Sequence, residues 1–534
     1  MRFQTLRTLT KNCGGALLPN KRTRLGLSIA LALAFLAIFL SHIAGMQAEA
    51  RTAAPPMPVL ETTSRQAMNG TASYPNCRFG TLEHSSSIVS YDIAPLNLGW
   101  YGNWGTSLNP PRPGGMAYMQ LISVSDGAAF GSREHPGPLS YSPSGSTLEA
   151  IIAANPGSLW LVGNEPDCMW QNNVLPQNYA QIYHDIYTFI KTRDATARVA
   201  AGGIVQPTPL RMQYLDLVLA SYQDQFGTQM PMDIWHIHSF ILREVDCRVY
   251  TGSCYGCEIP PGVDATHGML YTLDHSDRQD IFQDRLAQFR QWMADRGYRD
   301  TPLIVTEYGT LLPYYDPESL YYDSQGNPFD GARASDFMVA TFDYMLAASD
   351  PEIGYPADEN HLVQQWFWYS LDDTINYGGA LFEPNTKARM QLGTDLATYT
   401  SAISPVVDIL AVAVEQVGPP PLSPTSTATL TLRARVSNIG NISATQPITV
   451  RLLDGLGYPI GSDQVISARL AGCAGLAEVT VTWTDLAPGA YIVRAVVDPT
   501  NEIEESNEDN NEAIGVVLVA TNRLILPLVM RAGE

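Results

Sequence analysis

The feature that most restricts the fold is a series of eight short apolar or mixed runs that suit strands, near residues 78–83, 97–101, 116–122, 158–163, 198–204, 232–238, 303–307 and 364–369. Helical periodicity falls between many of them. Tyr179, Ile182, Tyr183, Ile186, Tyr187 and Ile190 form a stripe at helical spacing that buries one face, with Pro176 near its start. Ile281, Phe282, Leu286, Phe289, Trp292 and Met293 form a second stripe that ends at Gly297, a residue suited to the left-handed position after a helix. A third pattern begins around Ser335-Asp336 and carries Phe337, Ala340, Tyr344 and Met345. Strands alternating with such helices pair in parallel through crossovers, and eight of them imply a closed α/β TIM barrel of the (β/α)8 type, expected over residues 76–404.

After Pro405 the pattern changes. Ala428, Leu430, Leu432, Ala434 and Val436 alternate with Thr429, Thr431, Arg433 and Arg435, the period of a half-buried antiparallel strand. Val479, Val481 and Trp483, then Tyr491, Val493, Ala495 and Val497, repeat it. This predicts an all-β, immunoglobulin-like sandwich over residues 405–520. The apolar tail at 521–534, with Leu524 to Met530 at its centre, is too short to span a membrane and has no assigned role.

Upstream of the barrel, Arg2, Arg7, Lys11, Lys21, Arg22 and Arg24 precede an apolar run from Leu25 to Leu40, and Ala48-Glu49-Ala50 offers a small-x-small cleavage site. Residues 1–50 therefore read as a signal peptide or, if uncleaved, a signal anchor that holds the protein to a membrane, and the expected location is extracytoplasmic, secreted or cell-surface attached. Residues 51–75, with Pro55, Pro56 and Pro58, read as a flexible linker. Of the seven cysteines, Cys13 precedes the apolar run. The rest suit an oxidising compartment. Cys247, Cys254 and Cys257 lack a well-spaced fourth ligand for zinc, so a disulfide pinning a long loop is expected there. With 32 basic against 53 acidic residues, the formal charge of −21 repels polyphosphate and excludes a nucleic-acid partner.

In a β/α barrel, active sites lie at the C-terminal ends of the strands. Two runs end in glutamate: Leu159 to Gly163 leads to Asn164-Glu165-Pro166-Asp167, and Leu303 to Thr306 leads to Glu307-Tyr308-Gly309. One such glutamate alone is usually a solvated charge. A pair at one barrel mouth is what retaining glycoside hydrolysis requires: one carboxyl protonates the leaving oxygen and the other, about 5 Å away, attacks the anomeric carbon.

These segments resemble clan A glycoside hydrolases. Trp100-Tyr101-Gly102-Asn103-Trp104-Gly105, Gly163-Asn164-Glu165-Pro166-Asp167 and Asp233-Ile234-Trp235-His236-Ile237-His238 resemble, more narrowly, strand ends of the "glycosyl hydrolase catalytic core" family, which includes the β-1,3-glucanases of glycoside hydrolase family 128. The resemblance covers roughly residues 78–375. It implies that Glu165 is the acid/base, that Glu307 is the nucleophile, and that Asn164 binds the hydroxyl next to the reacting carbon. It also implies that His238 lies beside Glu307 and holds it ionised. His236 shares the face of His238 and is a substitute for that role. Trp100, Tyr101, Trp104, Trp366 and Trp368 are candidate sugar-stacking surfaces, and Tyr308 joins them as a candidate substrate contact. At least one of Trp366 and Trp368 is expected to face the mouth. The sequence departs from the family where Ser239-Phe240 replaces an aromatic pair and where the loop from Phe240 to His275 is long and cysteine-bearing, both of which touch substrate choice. No cofactor or metal is expected.

The C-terminal module resembles the CARDB-type sandwich of bacterial surface proteins through Val436 to Asn441, Ala487 to Tyr491 and the acidic turn Asp498 to Asn511. Such modules are spacers or adhesion domains, implying contact with a cell-surface glycan or protein. The acidic turn is open to calcium but reads first as a solvated charged turn. The functional expectation is a retaining hydrolase of a β-linked polysaccharide, β-1,3-glucan first. The alternative is an inactive glycan-binding adhesin, and a metal hydrolase built on His236, His238 and the cysteines ranks behind both.

Overall fold

The computed structural model describes residues 76–252, 256–311, 321–373, 378–421 and 427–520. The leader, the linker, Cys254 and the apolar tail lie outside the described residues. In chain order the first strands are β1 (Asn76–Leu82), β2 (Leu98–Gly102), β3 (Ala117–Ser125), β4 (Ser140–Ser142), β5 (Leu159–Asn164), β6 (Arg198–Ile204), β7 (Ile234–His238), β8 (Leu303–Tyr308) and β9 (Gln365–Trp368). All but β4 pair in parallel in sequence order, and β9 returns to β1 to close an eight-stranded barrel. The short β4 runs antiparallel on the C-terminal end of β3.

Six helices serve this barrel: α1 (Gly145–Ala154), α2 (Pro176–Lys191), α3 (Pro209–Phe226), α4 (Gln279–Asp295), α5 (Gly331–Ala347) and α6 (Gln391–Ser401). The three stripes read from the sequence are α2, α4 and α5. The last begins earlier than expected, because the Asp330 side chain caps it by accepting from Arg333 N at 3.0 Å. The first two crossovers contain only 3-10 turns, not α-helices. Pro95 sits in one, and Pro110, Pro111 and Pro113 fill the other with Gly114 and Gly115; proline denies a helix its amide donors and glycine adds backbone freedom that disfavours one.

Two apolar layers hold the barrel. Inside it, Leu82, Trp100, Leu121, Leu161, Ala200, Ile234, Ile304 and Phe367, one from each strand, form a continuous core. Between the strands and the helices a larger layer includes Phe79, Tyr101, Trp160, Trp235, Tyr308, Trp366 and Trp368. The interior is narrow, and Gly80 shows how narrow: a Cβ there would lie 2.3 Å from the Phe367 ring.

The second domain has two antiparallel sheets. One orders β10 (Ile409–Gln416), β11 (Ala428–Asn438) and β14 (Gly475–Leu486); the other orders β13 (Gln464–Ile466), β12 (Ile448–Asp454), β15 (Gly489–Val497) and β16 (Glu512–Val519). The expected alternation holds: Leu430, Leu432, Ala434 and Val436 are buried, with Val493, Ala495 and Val497 opposite them. The acidic turn is more structural than a solvated charge run. Asp498 is buried and accepts from Glu502 N at 3.1 Å and Ile503 N at 2.8 Å, while Glu505 accepts from Ile409 N.

The sandwich is fixed to the N-terminal end of the barrel strands. Cys77 in β1 forms a disulfide with Cys473 and its amide donates to Asn441 O at 3.0 Å. Next to it, Arg78 makes a bidentate pair with Asp358 at 2.6 and 2.7 Å and donates to Ile439 O at 3.1 Å. Ser437 donates to Ala357 O at 2.6 Å, and Asn510 to Glu359 at 2.8 Å. Asp358 is fully buried. Replacing Arg78 with Ala leaves that carboxylate without its cation, and urea denaturation is expected to show a loss of about 3–5 kcal/mol. Asp358→Asn with Arg78→Met should recover much of it.

Candidate active site

Glu165 stands immediately after β5 and Glu307 within β8, so both reach the C-terminal mouth of the barrel, as the sequence reading expects of strand ends. His238 ends β7 and is in register with Glu307 on the neighbouring strand. Its ring bridges the two: Nδ1 lies 2.8 Å from Glu165 Oε1 and Nε2 lies 3.5 Å from Glu307 Oε1. The Trp104 indole, two residues past β2, donates to Glu307 Oε1 at 2.8 Å. All of Glu165, His238 and Glu307 are buried, and one carboxylate oxygen from each glutamate and a histidine nitrogen lie within 4.8 Å of one another.

The backbone pays particular attention to Glu165, which takes the left-handed φ of 46°, a region that costs a non-glycine residue of order 1 kcal/mol. Hydrogen bonds fix it there: Glu165 N donates to Gly203 O and Cys168 N donates to Glu165 O, both at 3.0 Å. Its second oxygen lies 3.7 Å from Cys257 Sγ. That sulfur is paired with Cys168, and Cys247 is likewise in a disulfide. Cys257 thus pins the long loop onto the segment that carries Glu165, and among the described residues Cys168, Cys247 and Cys257 are all in disulfides. Among the described residues, Glu165, His238 and Glu307 are of the type and spacing that would hold a cation, though His238 Nδ1 already faces Glu165.

Behind this pair lies a second, fully buried layer. Arg211 of α3 contacts Asp167 Oδ2 at 2.6 Å and Glu244 Oε1 at 2.9 Å and donates to Glu258 O at 2.9 Å. It ties the turn after β5 to the cysteine-bearing loop. Nothing in the sequence singles out this arginine, because its partners lie 44 and 33 residues away.

The electrostatics follow from burial. Glu307 is pushed up to about 7, first by desolvation and further by the charge of Glu165, while His238 and the Trp104 hydrogen bond draw it down. His238 is lowered by desolvation, but the two glutamates outweigh this and leave it raised. His236 moves the other way, well below its usual value, through desolvation and the nearby His238. Its Nδ1 lies 3.1 Å from Thr306 Oγ1, not against a carboxylate. It therefore does not stand in for His238 beside a glutamate. His238 itself touches both carboxylates, not Glu307 alone.

The aromatic candidates separate sharply. Trp104 is partly exposed at the mouth, near His84 at 5.3 Å and Tyr369 at 6.2 Å between ring centres. Trp100 lies in the barrel interior against Phe367, with centroids 3.7 Å apart. Trp366 and Trp368 do not reach the mouth: both are fully buried in the outer layer, where Trp366 meets Phe79 and Trp368 donates to Gly379 O at 2.8 Å. Phe367 takes the inward position, where the absence of a side chain at Gly80 makes room for its ring. Tyr101, which donates to Pro111 O, and Tyr308, packed on Phe282, face outward as well. Asn164 is buried beside Glu165, and its Nδ2 lies 3.5 Å from Gln171 Oε1. Phe240 and Tyr369, which sequence reasoning did not name as contacts, complete the wall at 5.7 Å from each other.

Fold and site together define a closed parallel barrel with a buried glutamate pair at the C-terminal end of its strands, joined to an antiparallel sandwich. The CARDB family model matches residues 410–514. Among solved structures, an endo-β-1,3-glucanase of glycoside hydrolase family 128 from Sorangium cellulosum is 14% identical, with a TM-score of 0.37, and covers 60% of this chain and 98% of its own. One from Amycolatopsis mediterranei in complex with laminaritriose is 16% identical, with a TM-score of 0.37 and coverage of 60% and 98%. A CARDB domain from Pyrococcus furiosus in complex with di-metal ions is 25% identical, with a TM-score of 0.19, over 23% of this chain and all of its own. A comparison with curated proteins gives no match.

Gly203 is the residue on which the bridge depends. A Cβ there would lie 2.8 Å from His236 Nδ1 and 3.1 Å from His238 Cδ2, so Gly203→Ala must displace an imidazole. Chemical denaturation of that variant is expected to show a loss of about 1–3 kcal/mol. No change would mean that the rings move freely.

Proposed function

We propose that this chain is a retaining glycoside hydrolase of β-linked polysaccharide, with β-1,3-glucan the first substrate to try, in which Glu165 is the general acid/base and Glu307 the nucleophile. The observation that carries the reading is the approach of the two buried carboxylates within 4.8 Å, a spacing that suits direct attack rather than the wider gap in which an inverting enzyme places a water. In the first step Glu307 attacks the anomeric carbon while Glu165 gives its proton to the leaving oxygen. In the second, Glu165 takes a proton from water, which displaces Glu307 with net retention. Trp104 and His238 both address Glu307 Oε1, and their hydrogen-bonding groups favour its ionised form. The leader and the CARDB match support a secreted or surface-attached enzyme.

Glu165→Ala and Glu307→Ala are each expected to lower reducing-sugar release by several orders of magnitude. Proton NMR of the first product from the parent should show the β-anomer. An α-anomer would refute retention, and binding without turnover across β-1,3-, β-1,4- and mixed-linkage glucans would favour a glycan adhesin.

The pH dependence follows from Glu307. Attack needs the carboxylate, and its value near 7 means that the ionised fraction falls as pH drops through that point. The low-pH limb of kcat/KM is expected near 7, well above an ordinary glutamate, as an apparent value of the coupled group. His238 lowers Glu307, so His238→Asn should move this limb upward. A limb that stays or moves down would show that His238 does not set the charge of Glu307.

A further inference from the structure

Two large apolar rings stand in solvent at the same end of the barrel. Phe130, on the loop after β3, is 75% exposed, and Trp170, on the turn after β5 that begins with Glu165, is 38% exposed. Their ring centres lie 5.3 Å apart with planes inclined at 57°. These rings are held, not loose. Gly131 N donates to Met169 O at 2.8 Å and Asn173 Nδ2 to Ser132 O at 2.6 Å, which joins the two loops on either side of the aromatic pair. The same loop is anchored at its base by buried Asp126, which accepts from Leu175 N and Asn178 Nδ2 at 3.0 Å, and farther along by Arg133, which pairs with Asp246 at 3.2 Å and with Glu258. Gly131 has a φ of 73°, and a Cβ on it would lie 2.3 Å from Trp170 Cζ3, so the glycine is what lets the indole lie against the loop.

A loop fixed at this many points has the means to bury a phenylalanine and does not. Exposed aromatic faces on a rigid support suit one class of ligand well: the apolar face of a sugar ring, which stacks on them without needing a pocket. We propose that Phe130 and Trp170 form an outer sugar-binding platform, engaging the polysaccharide chain as it continues beyond the residues held by Glu165 and Glu307. This rests on the hydrolase reading for its substrate. The tilt narrows the linkage. A β-1,4 chain is a flat ribbon whose sugars share a plane, and rings inclined at 57° do not both lie on such a surface. A β-1,3 chain turns from sugar to sugar and presents faces at an angle, as the pair does.

The test uses the full chain in a Glu165→Ala background, so that ligand is not consumed, and reads retention on insoluble β-1,3-glucan with cellulose alongside. Trp170→Ala and Phe130→Ala are each expected to weaken retention on the β-1,3-glucan about tenfold, and Trp170→Tyr to keep most of it. Retention on cellulose should be weaker and little altered. Unchanged retention in both alanine variants, at the unfolding midpoint of the reference, overturns the platform; so does a loss that is equal on both glucans, as regards linkage. The hydrolase reading is scored separately by sugar release from the wild-type chain. If release fails while binding persists and depends on Trp170, the platform stands without the chemistry. If the chain neither releases nor binds, both are overturned.

Discussion

Two carboxyl groups within 4.8 Å of each other at the buried end of a barrel are the constraint around which the rest of the site is arranged. Left alone, Glu307 would resist ionisation, because burial and repulsion from Glu165 act in the same direction. The imidazole of His238 answers both at once by lying between them, raised by the charges that it relieves. Gly203 on β6 leaves space for both imidazoles: a Cβ there would collide with His236 and press on His238. The left-handed turn at Glu165, the Trp104 hydrogen bond and the disulfide against Glu165 then fix the carboxyl groups relative to that ring.

Arg211 extends the same logic one layer outward. An arginine that is buried with two carboxylates and a backbone carbonyl is well satisfied only if the turn after β5, helix α3 and the cysteine-bearing loop keep their places. Removing Arg211 would leave two carboxylates in the interior without their cation. The two glutamates therefore sit on a support that resists rearrangement, which suits chemistry dependent on preorganised groups.

Much of the barrel is legible in the sequence because short apolar runs and helical stripes are local signals. The two glutamates are legible for the same reason, since each directly follows a strand. What is hidden depends on the other strands. Alternation correctly separates Phe367 from Trp366 and Trp368, but the room for the inward ring is left by Gly80 on β1. Arg211 and the pairing of Cys168 with Cys257 join segments far apart in the chain, with no spacing that announces them. The first two crossovers lack α-helices where the sequence carries proline, a local cue that the named helical stripes leave untouched. The outward positions of Tyr101 and Tyr308 are a matter of barrel geometry that strand periodicity alone does not fix.

The Cys77–Cys473 bridge spans 396 positions of sequence, and nearly the whole barrel lies within the loop that it closes. A tensile load entering at residue 76 and leaving at residue 520 passes through that bond directly into the sandwich. Strands β14 to β16 carry it, while the barrel hangs beside the line of force, outside the path of extension. The bridge works as a mechanical bypass: the load runs through the sandwich, and Glu165 and Glu307 lie within the closed loop, off its path.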